Sequence, residues 1–319
     1  WFNKKILFDD FDALKLDISN LIEESERYAA SIDVSGFLLD DAISAKCFEV
    51  NDRITGFSGP VSLSTCLDRA RENGGVVIKD GHNYYVDSID DFITQKRKNI
   101  LFAYKHSIHE LASKNYYAGR NLTNSRLDHN FTSISKVLLN IIKETNNLVE
   151  IDLCNSQFAF LAHWINESPE YQDSSDFKIF YNQAGNGTLY EFIKEELDLP
   201  HRDAAKEIMI EIAFSSYKHS TENKRRFKEL FPSVSKFIEE FKKCARANDT
   251  PNGEGAFAVT LQRMEADVFI DTLYYQLKKM GYWVITRHDS LLIKNEDEIL
   301  VRQHIKAYFD SISFACSFK

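Results

Sequence analysis

The chain is poor in the residues that mark flexible, disulfide-rich or membrane-inserted proteins. Only 12 of its 319 residues are glycine and 5 are proline, which argues against a linker or a disordered chain. No apolar run reaches the roughly 18 residues that a membrane span needs, so we expect no membrane partner. The five cysteines are scattered without a CxxC pair, which argues against a zinc site or disulfide framework and favours the cytoplasm.

Positive charge is scarce as well. The net charge of −9 argues against a generic nucleic-acid binder, because phosphate contacts need Lys and Arg. Two basic runs remain, at 95–98 and 223–228. Each is either a solvated helix face or part of a basic cleft in an acidic shell, and both interpretations stay open. The chain opens on Trp1 without a signal-peptide pattern, so a native start further upstream also stays open.

Apolar periodicity and turn signals predict a mainly helical chain with few strands. Residues 1 to about 50 are predicted to be helical, and a short helix at 63–73 precedes a hairpin around Asp80-Gly81. A small winged unit and a plain helical subdomain with a hairpin both match this region. Later segments predict a loop at 121–136, strands at 148–153 and on both sides of His288-Asp289, and helices at 105–117, 156–165, 189–197, 232–247, 256–280 and 296–308.

Two acidic residues occupy unusual positions in apolar segments. Asp152 lies within a predicted strand, where an unpaired buried carboxylate is costly. Asp289 lies in a tight turn between two apolar stretches. The alternative to a metal-binding role there is that Asp289 serves only to form the turn. For Asp152, the alternative is a capping cluster with Asn155 and Ser156 at the start of the next helix. A divalent cation shared by Asp152 and Asp289 is one partner for both, and carboxylate oxygens suit Mg²⁺.

The segment from His201 predicts a helix with a basic and an apolar half on one face. Arg202, Lys206, Ile210 and Phe214 follow at steps of four and therefore share that face. Two cations near a helix N-terminus form an anion site, to which the helix dipole adds. The two apolar residues offer a surface on which a base can stack. An amphipathic helix with exposed basic residues is the alternative.

Together these segments resemble the single-subunit polymerase superfamily, which contains family A DNA polymerases and phage-type RNA polymerases. The stretch 152–157 (DLCNSQ) is similar to motif A, and Arg and Lys in 202–214 have the spacing of motif B. His288-Asp289-Ser290 is similar to motif C in its phage-type RNA polymerase form. Two further segments follow in the right order: 124–127 (NSRL) resembles the family's TGRL segment, and 261–267 resembles the helix before motif C.

The resemblance covers about residues 120–319 and implies an α+β fold of reduced size. It implies a right-hand polymerase with an antiparallel-sheet palm, helical fingers and a divergent helical N-terminal region. The implied domains are an N-terminal helical and hairpin region, thumb-like or accessory, at 1–119, palm with motif A at 120–175, fingers with motif B at 176–254, and palm with motif C at 255–319.

The resemblance also implies roles for the acidic and basic residues. Asp152 and Asp289 would be catalytic and hold two Mg²⁺ ions, with Mn²⁺ as an alternative. Ions ~4 Å apart would activate the attacking 3′-oxygen and stabilise the leaving pyrophosphate. Arg202 and Lys206 would hold the triphosphate, and Lys206 would also protonate the pyrophosphate.

Further implied contacts involve the bases and the primer. Ile210 and Phe214 would form the stacking floor for the incoming pair. Arg126 and His288 would contact the primer strand. Gln262 would contact the minor groove of the template–primer duplex, or else point into the core.

The position five residues after the motif A aspartate controls the sugar in this superfamily. Family A DNA polymerases have Glu there as a steric gate, and phage-type RNA polymerases have Gly. Here the residue is Gln157, which is nearly as large as Glu. Motif B usually closes with Tyr and Gly, but Phe214-Ser215 stands here and lacks the hydroxyl that favours a ribose. Both observations favour deoxynucleotides, whereas the HDS form of motif C favours RNA synthesis.

We therefore expect a template-directed DNA polymerase that extends a 3′-OH primer. No exonuclease carboxylate set is evident upstream, so we expect no proofreading activity in this chain. The expected partners are a primer–template nucleic acid, dNTPs with NTPs as the alternative, and accessory replication proteins. The expected setting is the cytoplasm, including that of a bacterial host of a phage or mobile element. An RNA polymerase, a terminal transferase, a primase-like enzyme and a non-catalytic nucleic-acid-binding module stay open.

Overall fold

The chain folds as an α+β protein that is mostly helical and contains small antiparallel sheets. The α+β class expected from the sequence is confirmed. A computed structural model describes residues 2–32, 47–49, 60–62, 76–80, 83–87, 89–248 and 250–319. The helix predicted at 63–73 and the winged-unit interpretation lie outside these residues. Within these ranges, no helix combines the length and the apolarity that crossing a bilayer requires.

Helices make up most of the described chain. The earlier ones span Lys4–Asp12, Ile18–Ser31, Ile89–Ala112, Asn130–Ser133, Lys136–Thr145, Ser156–Asn166 and Ser175–Asn186. The later ones span Leu189–Glu196, Arg202–Phe214, Glu222–Leu230, Pro232–Ala247, Ala256–Ala266, Tyr275–Lys279 and Glu298–Ser311. A π-helical stretch at Asp267–Tyr274 joins two of these, and 3-10 turns lie at Gly253–Gly255 and Asn295–Asp297.

The strands pair in an antiparallel manner throughout. Three two-stranded pairs are β1 (Cys47–Glu49) with β2 (Pro60–Ser62), β3 (Val76–Asp80) with β4 (Asn83–Asp87), and β5 (Ala118–Arg120) with β6 (Leu127–His129). A three-stranded sheet has the order β7-β9-β8, with β7 at Leu148–Asp152, β8 at Val284–Arg287 and β9 at Ser290–Lys294.

The chain divides into two compact units. One comprises Trp1–Lys15, Tyr116–Ser133 and Ile142–Lys319, and the other comprises Leu16–Asn115 and Ile134–Ile141. In the second unit, Tyr28 of one helix stacks on Tyr104 of another at a centroid distance of 5.9 Å, and Lys105 pairs with Glu26 at 2.8 Å. The three-stranded sheet and all of the predicted site residues belong to the first unit.

The core of the first unit lies between the three-stranded sheet and the helices that follow it. Strand residues Ile151, Leu291 and Ile293 are fully buried, as expected for apolar runs covered by other elements. They belong to one cluster with fully buried aromatic side chains of the helices, among them Phe180, Phe231, Phe257 and Phe269. This packing fixes the ends of β7 and β9, where the polar residues lie.

The Arg202–Phe214 helix begins where the sequence predicts it. The ring nitrogen Nδ1 of His201 accepts a hydrogen bond from the Ala204 N–H at 3.0 Å and caps the N-terminus. At the other end, the buried Lys242 ammonium donates to the Ile212 carbonyl at 2.7 Å and the Ser215 carbonyl at 2.8 Å. A cation at a helix C-terminus satisfies free carbonyls and complements the dipole, so both ends of this helix are fixed.

Most predicted elements are confirmed to within a few residues. Strand β7 and the strand pair around His288-Asp289 are present, as are the helices predicted near 156–165, 189–197, 232–247, 256–280 and 296–308. The hairpin at Asp80-Gly81 is confirmed as the β3–β4 pair, in which Asp80 faces Asn83. Of the cysteines with described side chains, Cys154, Cys244 and Cys316 are free thiols.

Two predictions of secondary structure are wrong. Residues 105–117 are not a separate helix, because the helix that begins at Ile89 runs through the basic run and ends at Ala112. Residues 121–136 are not simply a loop, because they include β6 and the Asn130–Ser133 helix. Strands of three residues are too short for an alternating pattern, and this hairpin is closed by the hydrogen bond from the Asn121 N–H to the Arg126 carbonyl at 2.8 Å.

Candidate active site

Asp152 and Asp289 lie at the same end of the three-stranded sheet. Asp152 is the last residue of β7 and is paired in register with Ser290, the first residue of β9. Asp289 occupies the two-residue turn between β8 and β9, where His288 adopts a left-handed backbone with φ of 58°. The Leu153 N–H donates to the Asp289 carbonyl at 3.2 Å, so the strand pairing continues past both acids. Two segments far apart in sequence therefore bring their carboxylates to one place.

The acids at this end of the sheet are close enough to affect one another. The pKa of Asp289 is raised to about 7, first by burial and then by the negative charges of Glu265 and Asp152. Arg126 acts in the opposite direction. Like charges in a poorly solvated place favour an added proton or a cation.

Glu265 is the least exposed of these acids, with 1% of its surface accessible. Its Oε1 atom lies 2.6 Å from Nη2 of Arg126, and Oε2 accepts a hydrogen bond from the Ser156 hydroxyl at 2.8 Å. Burial raises the pKa of Glu265, while Arg126 and Ser156 lower it. This residue therefore ties the β5–β6 hairpin to the start of the helix that follows motif A.

Arg126, His288 and Gln262 are the three predicted nucleic-acid contacts, and Gln262 lies on the Ala256–Ala266 helix. The amide of Asn124 donates to Oε1 of Gln262 at 3.1 Å, which holds the hairpin against that helix. Burial lowers the pKa of His288, and the charge of Arg126 adds to this effect. The three residues are half-buried, and Arg126 keeps 21% of its side chain exposed.

Ser290 has a hydrogen-bond partner within the protein. Its buried hydroxyl donates to Oε1 of Glu150 at 2.8 Å, and Nη1 of Arg287 lies 2.5 Å from the same oxygen. Nε of Arg287 donates to the Phe131 carbonyl at 2.8 Å. This network accounts for Ser290 without a ligand and connects β7, β8 and β9 beside the acids.

The Arg202–Phe214 helix exposes one mixed face, as its spacing predicts. Arg202, Lys206, Ile210 and Phe214 are all exposed, and 46% and 49% of the two apolar residues are accessible. The residues between them, including Ala205, Ile208, Met209 and Ile212, are buried in the core. The helix thus presents two cations near its N-terminus and two apolar side chains further along to solvent.

Tyr190 connects this helix with the acids. Nε of Arg202 lies 2.6 Å from Oε1 of Glu191, and the guanidinium lies 4.9 Å from the centre of the Tyr190 ring. The pKa of Tyr190 is raised to about 12, mainly by burial, and this value includes an opposing effect of Arg202 and a further increase from the charge of Asp289. Tyr190 therefore lies against Arg202 of this helix and within electrostatic range of Asp289.

Lys206 and Gln157 have a simpler environment. Lys206 is exposed one turn after Arg202. Gln157 is half-buried in the first turn of the Ser156–Asn166 helix, which follows the motif A acid directly. Between Asp152 and this helix, Asn155 has a left-handed backbone with φ of 52° and a buried side-chain amide.

Lys319, which no local sequence signal marks, is paired with Asp152. The ammonium of Lys319 is 2.8 Å from Oδ2 of Asp152. Its pKa is raised, first by the hydrogen bond to Asp152, while Arg202 lowers it. Glu265, Tyr190 and Lys319 were missed as site residues because their partners are far away in sequence. Only the match of 261–267 to the family gave any signal, and that match assigned no role to Glu265.

The basic runs contribute little free charge. In the run at 223–228, the Lys224 ammonium donates to the Ser216 and His219 carbonyls, and Arg225 pairs with Glu222 and Glu229. In the run at 95–98, Arg97 donates to the Ile32 carbonyl at 3.0 Å. These cations are engaged within the protein, which favours the solvated-helix interpretation over a basic cleft.

The donor set at the sheet end suits a hard divalent cation. Within the described part of the chain, no three His, Cys, Asp or Glu side chains form a ready-made ligand cluster. Asp152 and Asp289 offer carboxylate oxygens, and Mg²⁺ usually takes one or two carboxylates and completes its shell with phosphate oxygens and water. Comparison with known protein families and with curated protein sequences gives no match for this chain.

Proposed function

We propose that the chain is a template-directed nucleotidyltransferase, and specifically a DNA polymerase that extends a 3′-OH primer without proofreading. The observation that carries this proposal is the meeting of Asp152 and Asp289 at one end of the β7-β9-β8 sheet. The exposed Arg202 is linked to the same place through Tyr190. In this proposal the sheet is the palm, the helices of 176–254 are the fingers, and the region 1–119 is thumb-like or accessory.

The two acids would hold the cations that nucleotidyl transfer needs. When bound, such ions would activate the 3′-oxygen and neutralise the leaving pyrophosphate. Asp152 and Asp289 supply the oxygen ligands, and the backbone pairing beside them keeps their spacing fixed. Glu265 stays paired with Arg126 at 2.6 Å, so its charge is partly balanced within the protein.

The triphosphate would lie along the start of the Arg202–Phe214 helix. Arg202 offers a planar donor set held by Glu191, and Lys206 offers a second cation one turn later. The helix N-terminus adds its dipole. Lys206 is the exposed group that would give a proton to the pyrophosphate. The exposed Ile210 and Phe214 would support the incoming base pair.

The primer–template duplex would lie against Arg126, His288 and Gln262. Arg126 is paired with Glu265 of the Ala256–Ala266 helix, and the hydrogen bond from Asn124 to Gln262 holds the hairpin against the same helix. Side chains held in place by protein contacts read the minor groove at a lower entropic cost than free ones. Gln262 already accepts a bond from within the protein, so contact with the duplex would use its amide N–H groups.

Choice of sugar would depend on Gln157, as the motif A spacing predicts. Its half-buried position in the first helical turn after Asp152 is compatible with a gate beside the incoming sugar. Phe214 brings no hydroxyl to favour a ribose. An RNA polymerase or primase-like enzyme remains the second candidate because of the HDS form of motif C.

A primer-extension panel tests the proposal. The purified protein is given a primed DNA template with Mg²⁺ and either dNTPs or NTPs, and separate reactions omit the template or the primer. We expect extension with dNTPs that requires both template and primer. Strong preference for NTPs would favour an RNA polymerase. Synthesis without a template would indicate a terminal transferase, and synthesis without a primer would indicate a primase-like enzyme. No synthesis under any condition would leave a nucleic-acid-binding module.

A further inference from the structure

Lys319 is fixed beside Asp152 by the backbone and not only by its side chain. The Asp152 N–H donates to the Lys319 carbonyl at 3.2 Å, and the Lys319 N–H donates to the Asp152 carbonyl at 3.1 Å. The Cys154 N–H donates to the Ser317 carbonyl at 3.0 Å. In such an antiparallel pair, opposite side chains lie on the same face of the sheet and close together. The register alone therefore brings a lysine to the motif A acid.

The segment that carries Lys319 is held firmly in the first unit. Leu153 forms an isolated antiparallel bridge with Phe318. The Phe318 ring packs on Phe309 with a centroid distance of 5.4 Å. Gly187 allows a close approach on the other side, since a Cβ there would lie 2.3 Å from the Ser317 hydroxyl. The backbone of Lys319 is thus held by contacts of its own segment, and its position does not depend on the ion pair with Asp152.

In the free protein, Lys319 is paired with Asp152. The Lys319 ammonium lies 2.8 Å from Oδ2 of Asp152, while 69% of its side chain stays exposed. The charge of Arg202 is near enough to act on it. Lys319 therefore lies where a polyanion held near Asp152 would arrive. Surface ion pairs are weak, so the ammonium can exchange one partner for another at little cost.

We propose that Lys319 is a third cation of the nucleotide site, together with Arg202 and Lys206, and binds the polyphosphate of the incoming nucleoside triphosphate. This inference rests on the proposed function for the identity of its ligand. The ammonium has three N–H groups, of which the ion pair with Asp152 engages only part. Lys319 is therefore a binding residue that also touches the motif A acid.

Calorimetric titration with magnesium tripolyphosphate tests the inference without any synthesis. Lys319→Met should weaken binding by about tenfold, the usual effect of losing one charge-assisted contact. Lys319→Arg should retain most of the affinity. Lys306→Met is a matched control, because Lys306 is also an exposed lysine, with 75% of its side chain accessible and 2.9 Å from Asp310. Equal binding by wild type and Lys319→Met would overturn the inference.

Two further measurements separate the possible sources of phosphate. Affinity for a primer–template duplex should be unchanged in Lys319→Met, and a loss there instead of with tripolyphosphate would overturn the inference. In primer extension, the KM for dNTP should rise about tenfold with kcat nearly constant. A fall in kcat with unchanged tripolyphosphate binding would assign Lys319 to positioning of Asp152 and would also overturn it.

Failure of the inference can be told apart from failure of the proposed function. If the wild type extends no primer but binds tripolyphosphate through Lys319, the anion site stands and the polymerase proposal fails. If the wild type extends primers and Lys319→Met binds tripolyphosphate normally, the polymerase proposal stands and this inference fails.

Discussion

At the scale of single residues, the balance of charge around the sheet end decides what the site can bind. Asp152, Asp289 and Glu265 act on one another, and Arg126 and Lys319 each pair with one of them. The pKa of Asp289 is raised first by burial and then by the negative charges of Glu265 and Asp152. An added divalent cation would balance these charges, which is the physical reason to expect metal-dependent chemistry here.

Removal of Glu265 should destabilise the fold. Glu265→Ala removes an acid that is 1% exposed and leaves Arg126 without its partner at 2.6 Å. We expect the free energy of unfolding to fall by about 3 kcal/mol, because breaking a buried pair leaves an uncompensated charge. Urea denaturation measures the change. Glu298→Ala, which breaks a pair with Arg302 within one helix, is the control and should cost less than about 1 kcal/mol. Equal losses would contradict a buried pair at Glu265.

Replacing the predicted gate should change the choice of sugar. Gln157→Gly removes the side chain that would lie under the ribose 2′-carbon, so incorporation of NTPs should rise by about tenfold or more relative to dNTPs. The measurement is the ratio of kcat/KM for the two nucleotides in primer extension. Gln172→Gly, at an exposed position between helices, is the control. An unchanged ratio in Gln157→Gly would show that this residue is not the gate.

The residues of the candidate site differ in how well the sequence predicts them. Asp152, Asp289 and Arg202 stand out because each is a charged group at a strand or helix end with a fixed local spacing. Lys319 carries no such signal, since its place depends on a strand pairing with β7. Tyr190 also has no local sequence signal, because it comes near Asp289 only when two distant segments pack together.

At the scale of elements, the β5–β6 hairpin depends on a buried neutral histidine. His129 is fully buried, its Nδ1 accepts the Phe131 N–H at 3.1 Å, and its Nε2 lies 2.8 Å from the Thr286 carbonyl. The ring must therefore carry its proton on Nε2. Burial lowers its pKa from 6.5 to about 4, the Thr286 carbonyl opposes this shift, and the charges of His288 and Arg287 add to it.

This histidine should make the fold sensitive to acid. Its folded-state pKa is lower than its unfolded value, so its contribution is complete above pH 6.5 and is lost as the pH falls towards 4. The full loss amounts to about 3 kcal/mol. Urea unfolding at pH 7 and pH 4.5 should show a smaller decline for His129→Gln than for wild type, with the exposed His106→Gln as control. Parallel declines would refute this role.

Elements were predictable where local signals agree. The Pro232–Ala247 helix and the strands around His288-Asp289 combine apolar periodicity with clear start or turn residues. The β5–β6 hairpin was missed because its strands have three residues each and its stability comes from the Ala256–Ala266 helix and from β8. Tertiary contacts of this kind leave no trace in a short polar segment.

At the scale of the whole molecule, the net charge of −9 limits how nucleic acid can bind. Several cations of the run at 223–228 are engaged by carboxylates or carbonyls of the protein, so few phosphate contacts remain. We expect log Kobs for a primer–template duplex to fall with log salt concentration with a slope of only about −3. A slope near −8 would point to a broad basic surface and contradict this account.

Arg126 should contribute one of these contacts, because 21% of its side chain stays exposed beside its ion pair with Glu265. Arg126→Ala should reduce the magnitude of the salt slope by about 1, because one fewer phosphate is neutralised. Fluorescence anisotropy with a labelled duplex at several salt concentrations provides the slope. Arg302→Ala is the control, since Arg302 pairs with Glu298 on its own helix at 2.7 Å. An unchanged slope in Arg126→Ala would remove this residue from the proposed duplex path.

The central claim is that Asp152 and Asp289 together form one metal-binding site. The most direct measurement removes each charge in turn. Asp152→Asn and Asp289→Asn should each lower Mg²⁺-dependent primer extension by at least about a thousandfold, because both carboxylates would be metal ligands. Duplex binding should stay within about threefold of the wild type. The control Asp173→Asn, at a side chain that is 86% exposed, should retain full activity. Synthesis at wild-type rates by either variant would contradict the two-carboxylate site.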